Sequence, residues 1–287
     1  MQPLFISEVS SNHARDMDRC VEFINRSVAI GCGAVKFQLF KIDELFSPEI
    51  LERSATHRAR REWELPLEFL PELASACHDR QAEFCCTPFY LKAVEELEPY
   101  VDFYKVASYE LPWHDLIAEC ARTGKPLVLS TGMATLDEIG AAVCVFNAAG
   151  GKNLTLLHCI SGYPTPFENC NLAAIETIRN AFGVPVGWSD HSRNPAVVRR
   201  AVSRWGATTV EFHIDLDEQG AEYQTGHCWL PEEIEPVITE CHQAYIADGN
   251  GIKTPTPAEE TDREWRADPS DGLRPFLHVR KTWHPQS

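Results

Sequence analysis

The feature that most constrains this chain is a regular alternation of short apolar runs with longer amphipathic stretches. Eight of the apolar runs are rich in β-branched or aromatic residues, as buried strands are, and helix-like patterns lie between them. The predicted strands are residues 4–10, 34–40, 82–89, 103–108, 126–132, 154–161, 185–190 and 208–214. Several of the intervening stretches end at glycine, which is typical of helix C-termini.

Eight β/α units spread over about 245 residues have the size of a (β/α)8 barrel. We therefore predict an α/β fold, a (β/α)8 TIM barrel formed by residues 1–250. An open doubly wound sheet is the alternative, but no Gly-x-Gly-x-x-Gly motif follows the first strand to support it. Residues 251–287 are rich in proline and charge, and we expect them to form a short C-terminal extension that docks on the barrel.

Composition limits the classes of partner. Lysine and arginine number 26 against 42 aspartate and glutamate, a formal net charge of −16, whereas nucleic-acid binding requires a basic surface. We therefore expect no nucleic-acid partner, and without an 18-residue apolar stretch we expect no membrane partner. The N-terminus lacks the pattern of a secretion signal, and the 11 cysteines form no Cys-x-x-Cys pair. These features favour a cytoplasmic protein with buried, reduced cysteines.

Polar residues lie at or near the C-terminal ends of the predicted strands, which is where barrel enzymes place their chemistry. These residues are Glu8, Lys36, Gln38, Thr87, Lys105, Ser108, Ser130, Ser161, Tyr163, Ser189, Asp190, His191, Glu211 and His213. Because all eight strand ends meet at one mouth of a barrel, we expect a single site there.

Two lysines, Lys36 and Lys105, fall inside predicted strands. A desolvated ammonium group is costly unless an anion meets it. An internal ion pair with Glu8 or Glu211 would supply that anion. A phosphate or carboxylate ligand fits better, because it would meet both lysines together with the nearby hydroxyls. A Schiff-base aldolase also requires a strand lysine, so that alternative stays open.

Two histidines, His191 and His213, end neighbouring strands and are predicted to face each other across the barrel mouth. Two imidazoles with nearby carboxylates suit a divalent transition metal that keeps positions open for substrate and water. His158 lies in the middle of a strand instead, and we interpret it as a hydrogen-bonded core residue.

Taken in order, these segments resemble the sialic acid synthase (N-acetylneuraminate synthase-like) family of phosphoenolpyruvate-condensing enzymes. The similar segments are SEVSSNH, AVKFQLF, CTPF, YKVAS, KPLVLSTGMATLDEI, LTLLHCISGYPTPFENCNLAAI, FGVPVGWSDHS and VEFH. The resemblance implies a transferase of the EC 2.5.1 type. Such an enzyme condenses phosphoenolpyruvate with an aldose, N-acetylmannosamine or a related sugar. The products are a 2-keto-3-deoxy sugar acid of the nonulosonic type and phosphate, released by C–O cleavage. A homodimer is also implied.

The resemblance assigns roles to residues of this sequence. Those that would hold phosphoenolpyruvate are Lys36, Thr87, Lys105, Ser108, Ser130, Ser161 and Ser189. His191 and His213 would hold a divalent metal, with Mn²⁺ favoured and Mg²⁺ or Co²⁺ as alternatives. Those that would face the acceptor sugar are Glu8, Gln38, Phe89 and Tyr163, with Asp190 close by. Glu8 would also position or deprotonate the attacking water.

The sequence departs from the family in four places: the loop after Asn12 and His13, the Ser161-Gly162-Tyr163 segment, the loop after His213 and the C-terminal domain. We expect it to lack the family's antifreeze-like C-terminal domain, which lends an arginine to the partner subunit's acceptor site. The loop after His213, DLDEQGAEYQTGHCWLP, replaces the family's Pro-Gly-Pro-Asp-like loop. We hypothesise that local residues substitute for the missing arginine, namely Arg266 or Arg274 in the tail and Glu222 or His227 in this loop.

Two alternatives to the synthase remain. One is a Schiff-base barrel aldolase that uses Lys105 or Lys36, which borohydride trapping would detect. The other is a catalytically inactive sugar- or phosphate-binding barrel. The presence of both lysines, both strand-end histidines and Glu8 argues against the inactive barrel.

Overall fold

The computed structural model describes residues 2–284; Met1 and the last three residues of the predicted tail, 285–287, lie outside the described part. The chain divides into two units, residues 1–246 and residues 247–287.

Eight parallel strands close into a barrel in the first unit, which confirms the predicted α/β (β/α)8 fold. The strands are β1 (Leu4–Glu8), β2 (Ala34–Leu39), β3 (Glu83–Pro88), β4 (Phe103–Val106), β5 (Leu127–Ser130), β6 (Leu154–Cys159), β7 (Val186–Asp190) and β8 (Thr209–His213). Each strand pairs with the next along the chain, and β8 closes on β1 with Glu8 opposite His213.

Helices follow the strands and form the outer layer. They are α1 (Met17–Ala29), α2 (Ile42–Leu45), α3 (Pro48–Arg53), α4 (Ala55–Ala59), α5 (Leu70–His78), α6 (Leu91–Leu97), α7 (His114–Arg122), α8 (Leu136–Ala148), α9 (Ala174–Phe182), α10 (Pro195–Ser203) and α11 (Pro231–Asp248). The start of α8 shows why the sequence folds this way, because Thr135 and Glu138 form a reciprocal capping box there. Along the described chain, no helix has the length and apolar character that crossing a membrane requires.

The strand pattern places a polar layer above an apolar one inside the barrel. Side chains alternate between the two faces of a strand, so residues two apart share a face. The buried apolar layer toward the N-terminal ends of the strands contains Ile6, Ala34, Cys85, Phe103, Val128 and Leu157. Two residues further along β1 and β2 come Glu8 and Lys36, which are also buried. The site therefore sits on an apolar floor at the C-terminal ends of the strands.

The cysteines behave as the sequence analysis expected. All 11 are free thiols, and 10 of them are buried, with Cys144 the exposed one. Packing inside the barrel and under the helices is therefore their structural contribution.

The second unit contains two short helices, α12 (Glu260–Arg263) and α13 (Leu277–Thr282). Its carboxylate Asp268 accepts hydrogen bonds from the backbone amides of Ser270 (2.9 Å) and Leu277 (2.8 Å). The Arg266 guanidinium lies 5.2 Å from the ring centroid of Phe276. The predicted docking of residues 251–287 on the barrel, and the roles of Arg266 and Arg274 there, stay predictions.

Candidate active site

A cavity of about 610 Å³ lies at the C-terminal ends of the strands, and this volume is ordinary for a small-molecule site. It brings together most of the predicted site residues. Those that line it are Lys36, Gln38, Phe89, Lys105, Ser108, Ser130, Tyr163, Ser189, His191 and His213. Two more predicted residues touch a lining residue directly, since Lys36 pairs with Glu8 and lies 3.3 Å from the Thr87 hydroxyl.

Two lysines and two glutamates form a buried network on one side of the cavity, which we call the lysine side. The Lys36 ammonium pairs with Glu8 and lies 3.6 Å from Glu211 Oε2, and Lys105 Nζ lies 3.5 Å from Glu211 Oε1. The Ser189 hydroxyl donates to Glu211 Oε1 at 2.9 Å. The internal ion pairs that the sequence analysis left open are therefore present.

The network keeps Glu211 ionised. Burial alone would raise the pKa of Glu211, but Lys105 and Lys36 outweigh that effect and lower the pKa to about 2. Burial lowers the pKa of Lys36, and the neighbouring Glu211 carboxylate opposes that shift. Mutual pairing is what allows these charges to be buried at all.

Serine hydroxyls converge beside the network. Within residues 2–284, the buried hydroxyls of Ser130 and Ser161 have no hydrogen-bond partner. The Gly132 amide donates to Ser108 Oγ at 3.0 Å, and a Cβ at Gly132 would collide with the hydroxyls of Ser108 and Ser161. A buried hydroxyl without a partner is costly, and an oxyanion that accepts from these groups would remove the cost.

Three imidazoles meet on the opposite side of the cavity, which we call the imidazole side. The ring centroids of His191 and His213 are 5.4 Å apart, and those of His213 and His227 are 4.5 Å apart. The Tyr163 ring lies 4.1 Å from His191 and 4.9 Å from His227. His191 and His213 come from the ends of β7 and β8, whereas His227 comes from the loop between β8 and α11.

His191 and His213 have the properties that a divalent metal requires of its ligands. Burial lowers the pKa of both, with His213 adding to the effect on His191, whose pKa falls to about 3. Each ring is therefore neutral at physiological pH, which is the form that binds metal. His191 Nδ1 lies 2.9 Å from the Ile160 carbonyl and His213 Nδ1 lies 3.1 Å from Glu222 Oε2, so both Nδ1 atoms donate and both Nε2 atoms keep a lone pair.

Further donor atoms surround His213. One ligand atom from each of four residues lies within 4.8 Å of the others, and the four residues are His213, Glu222, His227 and Cys228. Glu222 and His227, predicted as substitutes for a missing arginine, both lie against the predicted metal ligand His213, and that predicted role stays a prediction. Glu222 Oε2 also lies 3.7 Å from His227 Nε2.

Asp190 does not reach the cavity. Its carboxylate is fully buried and accepts hydrogen bonds from the indole nitrogens of Trp188 and Trp229, each at 3.0 Å. Strand alternation explains the difference, since Ser189 and Asp190 point to opposite faces of β7 and only Ser189 faces inward. His158 Nε2 donates to the Cys170 carbonyl oxygen at 2.9 Å, in agreement with its interpretation as a core residue.

The structure adds residues that the strand-end rule missed. Arg60 and Trp63 line the cavity from the long segment between β2 and β3, and Tyr109 and Glu110 line it just after β4. The Arg60 guanidinium lies 5.4 Å from the Trp63 ring centroid, and its Nε is buried with no partner in the described chain. The unusual length of the segment between β2 and β3 was the available signal, because the connections that follow barrel strands at their C-terminal ends build the active site.

Comparison with known proteins gives a consistent result. Residues 23–253 match the model of the NeuB family. An uncharacterized protein of Methanocaldococcus jannaschii is 35% identical, over 90% of this chain and 76% of its own length. The N,N'-diacetyllegionaminic acid synthase of Campylobacter jejuni is 33% identical, over 90% of this chain and 80% of its own length. The crystal structure of N-acetylneuraminic acid (sialic acid) synthetase from Leptospira borgpetersenii in complex with citrate superposes with a TM-score of 0.80 at 27% identity, covering 94% of this chain and 93% of that one.

Proposed function

This chain belongs to the NeuB family, and from that premise we propose that it is a sugar acid synthase that condenses phosphoenolpyruvate with an aldose. The reaction would make a 2-keto-3-deoxy sugar acid and phosphate in carbohydrate biosynthesis. The observation that carries the proposal is one cavity lined by two buried lysines, by Ser130, whose hydroxyl has no partner among residues 2–284, and by His191 and His213, whose pKa values are lowered by burial. Relatives named as legionaminic, pseudaminic and sialic acid synthases support it.

Phosphoenolpyruvate binds on the lysine side in this proposal. Its phosphate and carboxylate carry the negative charge that Lys36 and Lys105 can meet. The hydroxyls of Ser130 and Ser161 support this placement, because both are buried and lack a partner within the described residues. Hydroxyls that join them are those of Thr87, Ser108 and Ser189. Charge-assisted hydrogen bonds of this kind also stabilise the phosphate as it leaves.

The divalent metal binds on the imidazole side, held by His191 and His213, with Mn²⁺ first and Mg²⁺ or Co²⁺ as alternatives. When bound, such an ion supplies Lewis-acid polarisation of the open-chain aldehyde. The two Nε2 lone pairs and the burial of both rings fit this group. Tyr163 covers His191 and shields this side from water.

The bond changes balance as follows. C3 of phosphoenolpyruvate attacks the aldehyde carbon, a C–C bond forms, and the aldehyde oxygen takes up a proton to become a hydroxyl. Water adds to C2, and the tetrahedral intermediate then breaks its C–O bond to release phosphate and leave the ketone. Glu8 would position or deprotonate that water, and its hydrogen bond from the Gln38 amide to Oε1, at 2.8 Å, supports this role by orienting the carboxylate.

The acceptor aldose lies against Gln38, Phe89 and Tyr163, which line the cavity. Arg60 extends this surface with a cation held among aromatic rings. It offers the acceptor site a basic group from within the barrel unit, in competition with the predicted roles of Arg266 and Arg274.

The test is phosphate release from phosphoenolpyruvate with Mn²⁺ over a panel of aldoses, with EDTA and His191→Ala as controls. Release that requires both an aldose and the metal is expected. No aldose-dependent release across a broad panel would favour the inactive binding barrel. Borohydride trapping of Lys105 or Lys36 with a keto acid, together with indifference to EDTA, would favour the Schiff-base aldolase.

The expected homodimer, cytoplasmic location and docked tail belong to the same proposal. Sedimentation velocity of the full chain should give the mass of a dimer, and a monomer at micromolar concentration would contradict that part. Limited proteolysis should leave a docked segment 251–287 intact, whereas rapid loss of the segment would contradict docking.

A further inference from the structure

We propose that His227 is a third imidazole ligand of the metal site, and that Glu222 acts from outside the coordination sphere as a positioning residue for His213. The inference rests on the proposed metal at His191 and His213 and assigns it a nitrogen-rich ligand set. Both added residues come from the loop in which this sequence departs from its family's pattern.

The hydrogen bonds of Thr225 assign the tautomer of His227. Thr225 Oγ1 lies 2.5 Å from the Glu222 carbonyl oxygen, and only the hydroxyl proton can bridge two oxygens at that distance. The same Oγ1 lies 2.6 Å from His227 Nδ1 and has no second proton to give. His227 Nδ1 is therefore the donor in that contact, and Nε2 carries the lone pair.

The carboxylate of Glu222 assigns the tautomer of His213 in the same way. An ionised carboxylate only accepts hydrogen bonds, and a donor approaches each oxygen of Glu222. Ser10 donates to Glu222 Oε1 at 2.5 Å, and His213 Nδ1 donates to Oε2 at 3.1 Å. This is the carboxylate–histidine arrangement that orients metal ligands, and it leaves His213 Nε2 for the ion.

Three histidines thus share one pattern. Each Nδ1 is bound to an acceptor, which is the Ile160 carbonyl for His191, the Glu222 carboxylate for His213 and the Thr225 hydroxyl for His227. Each Nε2 retains a lone pair, and all three rings are at least 91% buried, with exposures of 3%, 9% and 3%. The three Nε2 atoms therefore lie on one side of the cavity in an orientation that allows them to bind one cation.

The spacing of the rings agrees with one shared ion. A metal–nitrogen distance of 2.0–2.1 Å puts a ring centroid about 3 Å from the ion, so ligand rings lie roughly 4.5 to 6 Å apart. The centroid separations are 4.5 Å between His213 and His227, 5.4 Å between His191 and His213, and 6.1 Å between His191 and His227.

Cys228 is the competing donor, because its sulfur lies 3.9 Å from His227 Nε2. The Cys228 sulfur already accepts a hydrogen bond from the Asn12 amide at 3.6 Å, which occupies a lone pair on the sulfur. We therefore place Cys228 outside the ligand set. A set of three imidazoles favours Co²⁺, Fe²⁺ or Zn²⁺ over Mg²⁺, which prefers oxygen ligands.

The test is a Co²⁺ titration of the full chain without phosphoenolpyruvate or aldose, followed by its visible spectrum. His227→Ala should weaken Co²⁺ binding by about 100-fold or more, and Glu222→Gln should weaken it by about 10- to 100-fold. Cys228→Ser should leave both the affinity and the spectrum unchanged, with no thiolate-to-cobalt charge-transfer band in the wild type. His114→Ala, at an exposed histidine, is the matched control and should change nothing.

Pulsed EPR of the Mn²⁺-loaded protein counts the ligands directly. Three histidine nitrogens are expected in the wild type and two in His227→Ala. Circular dichroism of the metal-free variants checks their folding, and Thr225→Val supplies a milder variant with the same expected direction. Unchanged affinity and nitrogen count in folded His227→Ala would overturn the inference, as would a thiolate band that disappears in Cys228→Ser. Because no substrate is present, these results are independent of whether the proposed condensation occurs.

Discussion

The two sides of the cavity satisfy their buried polar groups in opposite ways. On the lysine side, charges from neighbouring strands pair with one another, as Lys36 and Lys105 do with Glu211 at 3.6 Å and 3.5 Å. On the imidazole side, neutral rings bind acceptors through Nδ1 and keep their Nε2 lone pairs. The charges on the first side are compensated by one another, whereas the second side keeps nitrogen lone pairs available.

In the proposed function, this difference would allow one cavity to bind ligands of opposite charge side by side. An anion on the lysine side would meet ammonium groups paired with glutamates, together with serine hydroxyls that have no partner among residues 2–284. A cation on the imidazole side finds donors whose orientation is already set. A condensation between an anionic enol phosphate and a polarised aldehyde requires this juxtaposition.

The largest effect should come from breaking the pairing on the lysine side. Lys36→Met leaves the Glu8 carboxylate buried beside no ammonium group and should lower the free energy of unfolding by about 3–5 kcal/mol. Urea denaturation measures this loss. The double variant Glu8→Gln/Lys36→Met is the control and should recover much of it. If Lys36→Met were as stable as the wild type, charge pairing would not be what compensates the buried groups of the lysine side.

His13 lies outside the cavity and gives a contrast to the histidines of the imidazole side. His13 is buried, and burial is the main cause of its pKa falling to about 4, but its Nδ1 accepts from the Arg15 amide and has no lone pair to offer there. In the unfolded chain His13 takes up a proton near pH 6.5, whereas in the native protein it stays neutral until about pH 4. The contribution of His13 to the free energy of unfolding should therefore be fully present above pH 6.5 and be lost as the pH falls toward 4. The loss is about 3 kcal/mol.

Urea denaturation between pH 7 and pH 4 measures this dependence. His13→Asn should lose less stability than the wild type over that range and should bind Co²⁺ normally, while exposed His114→Ala should follow the wild type. If the free energy of unfolding fell equally with pH in His13→Asn and wild type, His13 would not be the buried neutral histidine responsible for the loss. Weakened Co²⁺ binding in His13→Asn would contradict the separation between His13 and the imidazole side.

Loss of a serine hydroxyl should have the opposite result to loss of Lys36: stability should hardly change, but ligand binding should weaken. Ser130 and Ser161 lack partners within residues 2–284, so replacing either with alanine should leave stability nearly unchanged. Each hydroxyl would bind a charged group, so each loss should weaken phosphoenolpyruvate binding by roughly tenfold or more. Calorimetric titration and urea denaturation of Ser130→Ala and Ser161→Ala check both outcomes. A large loss of stability together with normal phosphoenolpyruvate binding would contradict both expectations.

The smallest effect concerns the rim of the cavity. Arg60→Met removes the guanidinium but keeps an apolar stem beside Phe46 and Trp63. It should raise KM for the acceptor aldose several-fold while KM for phosphoenolpyruvate stays constant. Steady-state kinetics should be run beside Arg266→Ala and Arg274→Ala. An acceptor effect confined to the two tail variants would show that the tail, and not Arg60, supplies the basic group.

The sequence predicts the fold and the lysine side well for one reason. Strand residues obey a two-residue alternation, so a lysine two positions beyond an inward Ala34 must also face inward, as Lys36 does. The alternation also explains where the strand-end rule failed. Asp190 follows inward-facing Ser189 and is turned away from the cavity, so proximity along the chain did not bring it to the site.

The imidazole side is less predictable because part of it depends on loop conformation. Glu222 and His227 approach His213 only because the loop turns at Gly226, whose φ of 85° is left-handed. No periodicity encodes such a turn, and the departure from the family's pattern indicated only that the loop was different. Arg60 was missed for the same reason, since its segment between β2 and β3 lies outside the strand pattern.

The most direct measurement follows the fate of the oxygen atoms. The reaction is run in ¹⁸O-enriched water with phosphoenolpyruvate, Mn²⁺ and an accepted aldose, and the released phosphate is analysed by mass spectrometry. Addition of water at C2 followed by C–O cleavage predicts phosphate without solvent oxygen, formed only when aldose and metal are both present. Phosphate that carries one ¹⁸O, or that forms equally without aldose, would contradict the proposed condensation.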